Sequence, residues 1–272
     1  MWHYEITGNA IEEIYNKVKK NSQRLSGYVS ATGSAGTIGA GDYLRTIAPH
    51  VKVVASEALQ CPTLLLNGFG AHRIEGIGDK HVPWIYNVRN TDVVVAIDDE
   101  NTMRILRLFN EKTGQALLKS EGVKQDLIDK LPLLGISSIC NLLSSIKLAK
   151  YYEFNENDIV FTIFTDSADL YKSRVKELEE ERGKYSEKDA ITDYQRYLTG
   201  VTTDYMRELS YYDKKALHNL KYFTWVEQQG KTVEEINELW NPEFWEEKLT
   251  HASEWDKLIE NFNKEVGLCG HL

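Results

Sequence analysis

The densest chemistry in the chain is a run of small residues, Ser30-Ala31-Thr32-Gly33-Ser34-Ala35-Gly36-Thr37-Ile38-Gly39-Ala40-Gly41, where a strand-like segment gives way to a helical one. Glycine lets backbone N–H groups approach an anion closely, and a helix N-terminus adds positive potential. With the hydroxyls of Ser34 and Thr37, the stretch Gly33, Ser34, Ala35, Gly36, Thr37 therefore has the makings of a phosphate cradle. An ordinary strand-to-helix turn has the same composition. A P-loop is excluded because no lysine follows the second glycine, and the dinucleotide spacing fails because Gly36 falls three after Gly33. Three further segments are glycine-rich or polar and lie beside strands or helix starts: Gly76-Ile77-Gly78, Gly135-Ile136-Ser137-Ser138 and Thr165-Asp166-Ser167-Ala168-Asp169. Such places collect ligands in open α/β sheets, although each is also compatible with plain turn chemistry.

Other reactive residue types point less far. His72 and His81 flank Gly76–Gly78 without a carboxylate pair at ligand spacing, so they read as loop histidines and no metal site is expected. Cys61, Cys140 and Cys269 are an odd, scattered set that suits neither a disulfide framework nor a CxxC site, and Cys61 reads as a buried structural thiol. Lys147 reads as a lysine on a helix surface, and Glu177–Glu181 as a solvated helix face.

These segments need elements to hold them. Asn9 with Glu12 suggests a capping-box relative opening a helix over 9–20, with Ile11, Ile14, Tyr15 and Val18 at helical spacing. Short apolar strands are expected at Gly27–Ala31, Val51–Ser56, Val93–Ile97 and Ile159–Phe164. Helices are expected through Tyr43 and Leu44, over 98–119 behind Asp98 and Asp99, and over 137–151. The alternation implies an α/β fold: a three-layer, mostly parallel sheet flanked by helices, with an α-helical C-terminal extension. The division falls at 1–175 for the sheet and 176–272 for the extension. The aromatics of the extension, among them Tyr194, Tyr211, Tyr212, Phe223, Trp225, Trp240, Trp245 and Trp255, are expected to pack against the core or another subunit.

The 272 residues, 42% hydrophobic and 27% charged, are those of an ordinary globular chain, and a formal charge of −9 argues against a nucleic-acid partner. The longest apolar runs fall well short of the ~20 residues that span a bilayer, and the first residues do not read as a signal peptide. The expectation is a cytoplasmic protein with no membrane partner.

Taken in order, the quoted segments resemble the fold type II pyridoxal-phosphate (PLP) enzymes, the cysteine synthase and cystathionine β-synthase group, over residues 2–175. Gly33 to Thr37 matches that family's Gly-Thr-Gly-Gly-Thr phosphate loop, and Gly76-Ile77-Gly78 its Gly-Ile-Gly loop. Gly135-Ile136-Ser137-Ser138 matches its Gly-Ile-Ser-Ser, Thr165 to Ala168 its Pro-Asp-Ser-Gly strand end, and Thr7-Gly8 its Thr-Gly before the first helix. Residues 176–272 resemble the tail of a longer bacterial subgroup. The resemblance implies the cofactor pyridoxal 5'-phosphate, held by Gly33, Ser34, Ala35, Gly36, Thr37, Gly76, Ser137 and Asp166, with Ser137 at the pyridine nitrogen. It also implies an amino-acid substrate undergoing β-elimination or β-replacement.

Two departures qualify it. Ala35 and Ala168 stand where the family has glycine. The family's Schiff-base lysine and its Ser/Thr-Gly-Asn substrate loop, which lie ahead of the matched region, have no counterpart, so no catalytic residue is assigned on this chain. The expectation is the C-terminal part of such an enzyme or one subunit of it, in a homo- or hetero-oligomer, with a partner bringing the lysine. Two readings of another class stay open: a non-catalytic PLP-fold protein acting by association, and a nucleotide or sugar-phosphate binder.

Overall fold

The computed structural model describes residues 1–268; Cys269 lies outside the described residues. In chain order the main elements are α1 (Gly8–Val18), β1 (Arg24–Ala31), α2 (Ala40–Ile47), β2 (Lys52–Ala58), α3 (Thr63–Leu66), β3 (Val93–Ile97), α4 (Asp99–Asn110), α5 (Lys112–Ser120), α6 (Gln125–Ile128), α7 (Ile136–Tyr151) and β4 (Asp158–Thr162). The extension adds α8 (Lys172–Arg182), α9 (Glu187–Asp193), β5 (Met206–Glu208), α10 (Tyr211–Asn219), α11 (Val233–Glu238), α12 (Pro242–Thr250) and α13 (Ala252–Glu265).

The five strands form one sheet in the order β4-β1-β2-β3-β5, parallel throughout except for antiparallel β5. Alternate side chains of the buried strands feed two cores. Val29, Val54, Val93, Val95 and Ile97 face Met103, Leu106, Ile139 and Leu143 of α4 and α7. Tyr28, Val53, Ala55, Val94 and Ala96 face Ile11 and Leu44 of α1 and α2. This period-two division between two helical layers makes the fold the expected three-layer α/β arrangement.

Several local expectations need correction. Asn9 does not cap a helix: it lies inside α1, which continues from a π-helical turn at His3–Thr7, and its amide donates to the Glu5 carbonyl. The helix expected over 98–119 is two helices, broken where Glu111 adopts extended backbone (ψ 139). Lys147 is not on a surface. It is 4% exposed, and its ammonium donates to the Asp204 carbonyl at 2.7 Å and pairs with the Asp204 carboxylate at 2.6 Å.

The extension supplies an edge strand as well as helices, with β5 covering β3 in the register Val93↔Glu208, Val94↔Arg207, Val95↔Met206. Leu178, Tyr185, Ala190 and Val201 join the α4/α7 core, and Leu209 and Leu217 the other. Its aromatics divide. Tyr194 and Tyr197 pack on the core, and Trp225 donates from Nε1 to the Val82 carbonyl at 2.9 Å. Tyr205, Tyr211, Tyr212, Phe223 and Trp255 stay exposed. No helix among the described residues is long and apolar enough to cross a membrane.

Candidate functional site

Strand order dictates where a ligand can enter. From β1 the chain moves to β2 and then β3 on one side, and β4 returns on the other side of β1. The chain leaving β1 passes into α2 on one face of the sheet and the chain leaving β4 into α8 on the other, so the two connections diverge and open a crevice between them. A cleft of about 150 Å³ lies there. Gly33, Ser34, Ala35, Gly36 and Thr37 line it from the β1 side, Gly76 and Ile77 from the loop after α3, Ser137 and Asn141 from α7, and Ile163 and Thr165 from the end of β4.

The cradle is built from beneath by β1. Tyr28 donates its hydroxyl to the Thr37 carbonyl at 2.7 Å, and the Ser30 and Thr37 hydroxyls meet at 2.6 Å. Above that anchor, no hydrogen bond among the described residues is donated by the backbone N–H groups of Gly33, Ser34, Ala35 or Gly36. Unpaired main-chain donors are costly when turned away from water, and a loop that leaves four consecutive ones without a protein partner could hold an anion. Ala35 holds φ +62°, the left-handed region that favours glycine, so the glycine-to-alanine departure keeps the turn at the expense of strain.

Ser137 sits in the first turn of α7, its hydroxyl 3.3 Å from that of Thr165. It does not cap α7, whose N-cap is Gly135. A Cβ on Gly135 would fall 1.9 Å from Asp166 Oδ1, so only glycine lets α7 start so close to the end of β4. Asn141 donates to the Ile163 carbonyl at 2.8 Å, while its Oδ1 is buried without a partner on the cleft wall. An orphaned acceptor beside four free donors fits a polar ligand carrying both kinds of group.

Seven of the eight residues expected at the site line this cleft; Asp166 does not. Its main-chain carbonyl accepts from Gly135 N–H at 3.0 Å and its carboxylate from the Tyr171 hydroxyl, so it braces the start of α7. Sequence reasoning missed His3 and Asn141. His3 Nδ1 is 2.9 Å from Thr7 Oγ1, and the ring lies over Gly36, whose absent Cβ would come 3.2 Å from His3 Cδ2. Burial, and then the N-terminal amine, lower the His3 pKa, so a neutral imidazole closes this side. The spacing of His3 and Thr7, one helical turn apart, was the available signal. Also missed was Glu57 at the end of β2: it accepts from Leu64 N at 3.0 Å and Leu65 N at 2.8 Å, and burial raises its pKa to about 7.

His72 and His81 lie outside the cleft: His81 pairs with Asp79 at 3.0 Å, and His72 packs against Gly78. Cys61 and Cys140 are buried free thiols; Cys140 lies 3.3 Å from the Ser56 hydroxyl, and burial pushes its thiol up to about 12.

No family model matches the chain. Among curated proteins it is 30% identical to cysteine synthase B of Campylobacter jejuni over 147 residues, which are 54% of this chain and 42% of that protein. It is also 30% identical to the O-acetylserine dependent cystathionine beta-synthase of Bacillus subtilis over 150 residues, again 54% of this chain and 42% of that protein. Among solved structures it resembles O-acetyl serine sulfhydrylase isoform 3 of Entamoeba histolytica, with TM-score 0.52 and 27% identity over 70% of this chain and 49% of that one. A hydrogen sulfide-producing enzyme of Fusobacterium nucleatum gives TM-score 0.50 and 26% identity, covering 70% of this chain and 50% of the other. The chain is thus similar to cysteine synthase-like, fold type II PLP enzymes, and the match spans less than half the length of these curated relatives.

Proposed function

We propose that the cleft binds pyridoxal 5'-phosphate and serves β-elimination or β-replacement on an amino acid, with this chain contributing the phosphate and pyridine side of the site. The observation that carries this reading is the meeting of the 33–37 loop, Gly76, Ser137 and Thr165 on one cleft, with four consecutive main-chain N–H groups in that loop that no protein acceptor among the described residues takes up. The bound cofactor would supply the electron sink for the bond changes at the substrate.

The residues present fit that group. The free N–H groups of residues 33–36 and the Ser34 and Thr37 hydroxyls would hold the phosphate, and the Tyr28 and Ser30 hydroxyls keep Thr37 fixed. The Ser137 hydroxyl would meet the pyridine nitrogen as a neutral group, which holds a proton there less well than a carboxylate does; this favours elimination at the β-carbon. Asn141 Oδ1 offers an acceptor, and the neutral His3 ring screens the loop from water. The cleft, at 150 Å³, is smaller than the roughly 300–1,000 Å³ of a typical small-molecule site. No lysine lines it, and Lys147 is committed to Asp204. The reading therefore takes the nucleophilic lysine and the rest of the cavity from another segment or subunit, this chain being the C-terminal part or one subunit of the enzyme.

The test is addition of PLP to the chain, borohydride reduction, and mass spectrometry of the digest. Saturable PLP binding that inorganic phosphate displaces, with no stoichiometric adduct at any one lysine, is expected. A single stoichiometric lysine adduct together with β-elimination by the chain alone would overturn the division of labour. Binding of a nucleoside monophosphate in preference to PLP would overturn the cofactor.

A further inference from the structure

Behind the loop that lines the cleft lies a larger cavity of about 450 Å³, within the roughly 300–1,000 Å³ of small-molecule sites. Its walls are aromatic: Trp2 and Tyr4 come from the N-terminal turn, Trp84 from the loop before β3, and Phe244, Trp245 and Trp255 from α12 and α13. Phe244 and Trp245 meet edge to face at 5.2 Å, and Trp245 Nε1 is fixed on the Leu239 carbonyl at 3.0 Å, so this wall is set by packing.

One acid opens onto this apolar space. Asp42, in the first turn of α2, receives the Asn90 amide on Oδ1 at 2.8 Å. Among the described residues no hydrogen bond reaches its Oδ2, and it takes part in no ion pair within 4.0 Å. The cations around it are otherwise engaged or at a distance. Arg45 is held by the Asp92 carboxylate and the Asn90 carbonyl. Lys248 lies over the Phe244 ring and pairs with Glu247 at the rim. The N-terminal amine and Arg45 act on Asp42 only through space, and burial, the largest influence, raises its pKa to about 6. A carboxylate without a counter-ion, facing several aromatic rings, attracts a cation that also has apolar surface to bury.

We propose that this cavity is a binding site for a small organic ammonium with an aromatic or apolar body, its nitrogen on the Asp42 carboxylate and its body against the tryptophans. The cavity shares His3, Ala35 and Gly36 with the cleft, yet its chemistry is the opposite: cations and apolar surface on one side, anions on the other. The site stands apart from the cofactor reading, because it is probed without PLP or phosphate.

The experiment is a calorimetric and tryptophan-fluorescence titration of the full chain at pH 8 with three probes of like shape: 2-phenylethylammonium, 2-phenylethanol and 3-phenylpropanoate. Saturable binding in the order ammonium, alcohol, carboxylate is expected. Asp42→Asn should weaken the ammonium about tenfold or more and leave the alcohol within about twofold, whereas Trp2→Ala, at a side chain 67% exposed, should weaken both. Where Asp42→Asn does not fold, the ligand series decides alone. Equal binding of ammonium and alcohol, an ammonium affinity indifferent to Asp42→Asn, or no saturable binding through the millimolar range would each overturn the proposal. So would a self-associated chain whose aromatic rim is closed to all three probes.

Discussion

The loop from Gly33 to Gly36 has two unlike faces. Gly33, Ser34, Ala35 and Gly36 line the crevice between β1 and β4 with main-chain N–H groups that no protein acceptor among the described residues takes up, while Ala35 and Gly36 also line the aromatic cavity. The polar face is made by a few consecutive residues through their backbone, and the apolar face by side chains from both ends of the chain. The contrast teaches that a local turn can leave several consecutive main-chain donors unpaired, while a nearby hydrophobic cavity needs tertiary assembly to exist at all.

Substitutions that act on one face more than the other sharpen that contrast. The largest effect is expected from Gly36→Leu, which drives a side chain into the space beside His3 and should weaken inorganic phosphate and PLP by about a hundredfold, ~2.7 kcal/mol. Thr37→Ala removes one donor and should cost about tenfold; isothermal titration of both variants gives the order, and a Gly36→Leu protein that binds normally would reduce the cradle to turn chemistry. Gly135→Ala forces overlap with Asp166 Oδ1 and should lower stability by about 2 kcal/mol in urea unfolding, loosening Ser137 without touching the aromatic cavity.

On the other face, Lys221 is fully buried just beyond α10 and donates to the carbonyls of Trp84 and Tyr86, both at 2.8 Å, fastening the loop that carries Trp84. Burial lowers its pKa from 10.5 to about 7, so between those values the unfolded chain binds more protons than the folded one and stability rises with pH. Lys221→Met should cost about 2 kcal/mol at pH 8 by leaving two carbonyls unpaired, and should flatten that rise; stability curves at several pH values check both. The smallest effect belongs to Ala35→Gly. Relief of the left-handed φ of +62° is offset by the greater freedom of glycine in the unfolded chain, leaving a gain of about 0.5 kcal/mol in stability and an unchanged phosphate affinity.

Much of the candidate cleft's lining was legible because its signals are local. Val93–Ile97 forms a strand over the expected residues, and α7 begins at Ile136, one residue before the helix expected over 137–151. Gly33 to Thr37, Gly76 and Ser137 could be picked out because small residues and hydroxyls at strand ends and helix starts have few other uses. What failed to show was of another kind. Met206–Glu208 is three residues with no periodicity, and becomes a strand only because β3 offers it an edge. Lys147 looked like a surface residue until the turn carrying Asp204 covered it. Asn9 with Glu12 had the spacing of a cap, but the helical turn at His3–Thr7 runs into α1 and leaves no N-terminus there to cap.

By itself, then, the order of residues determined the alternation of strands and helices, the turn at Gly33–Thr37 and the small residues at the starts of its helices, because each rests on φ/ψ preference, hydrophobic period or capping chemistry acting over one or two turns. The tertiary structure decided what those pieces do to one another. The return of β4 beside β1 opened the crevice and brought Ser137 to the glycine loop, and Asp166 was drawn off to brace Gly135. Trp2, Trp84 and Trp245 joined around an Asp42 left without a counter-ion. Burial and the pairing of distant groups depend on which surfaces exclude water together, and that is a property of the packed chain rather than of any stretch within it.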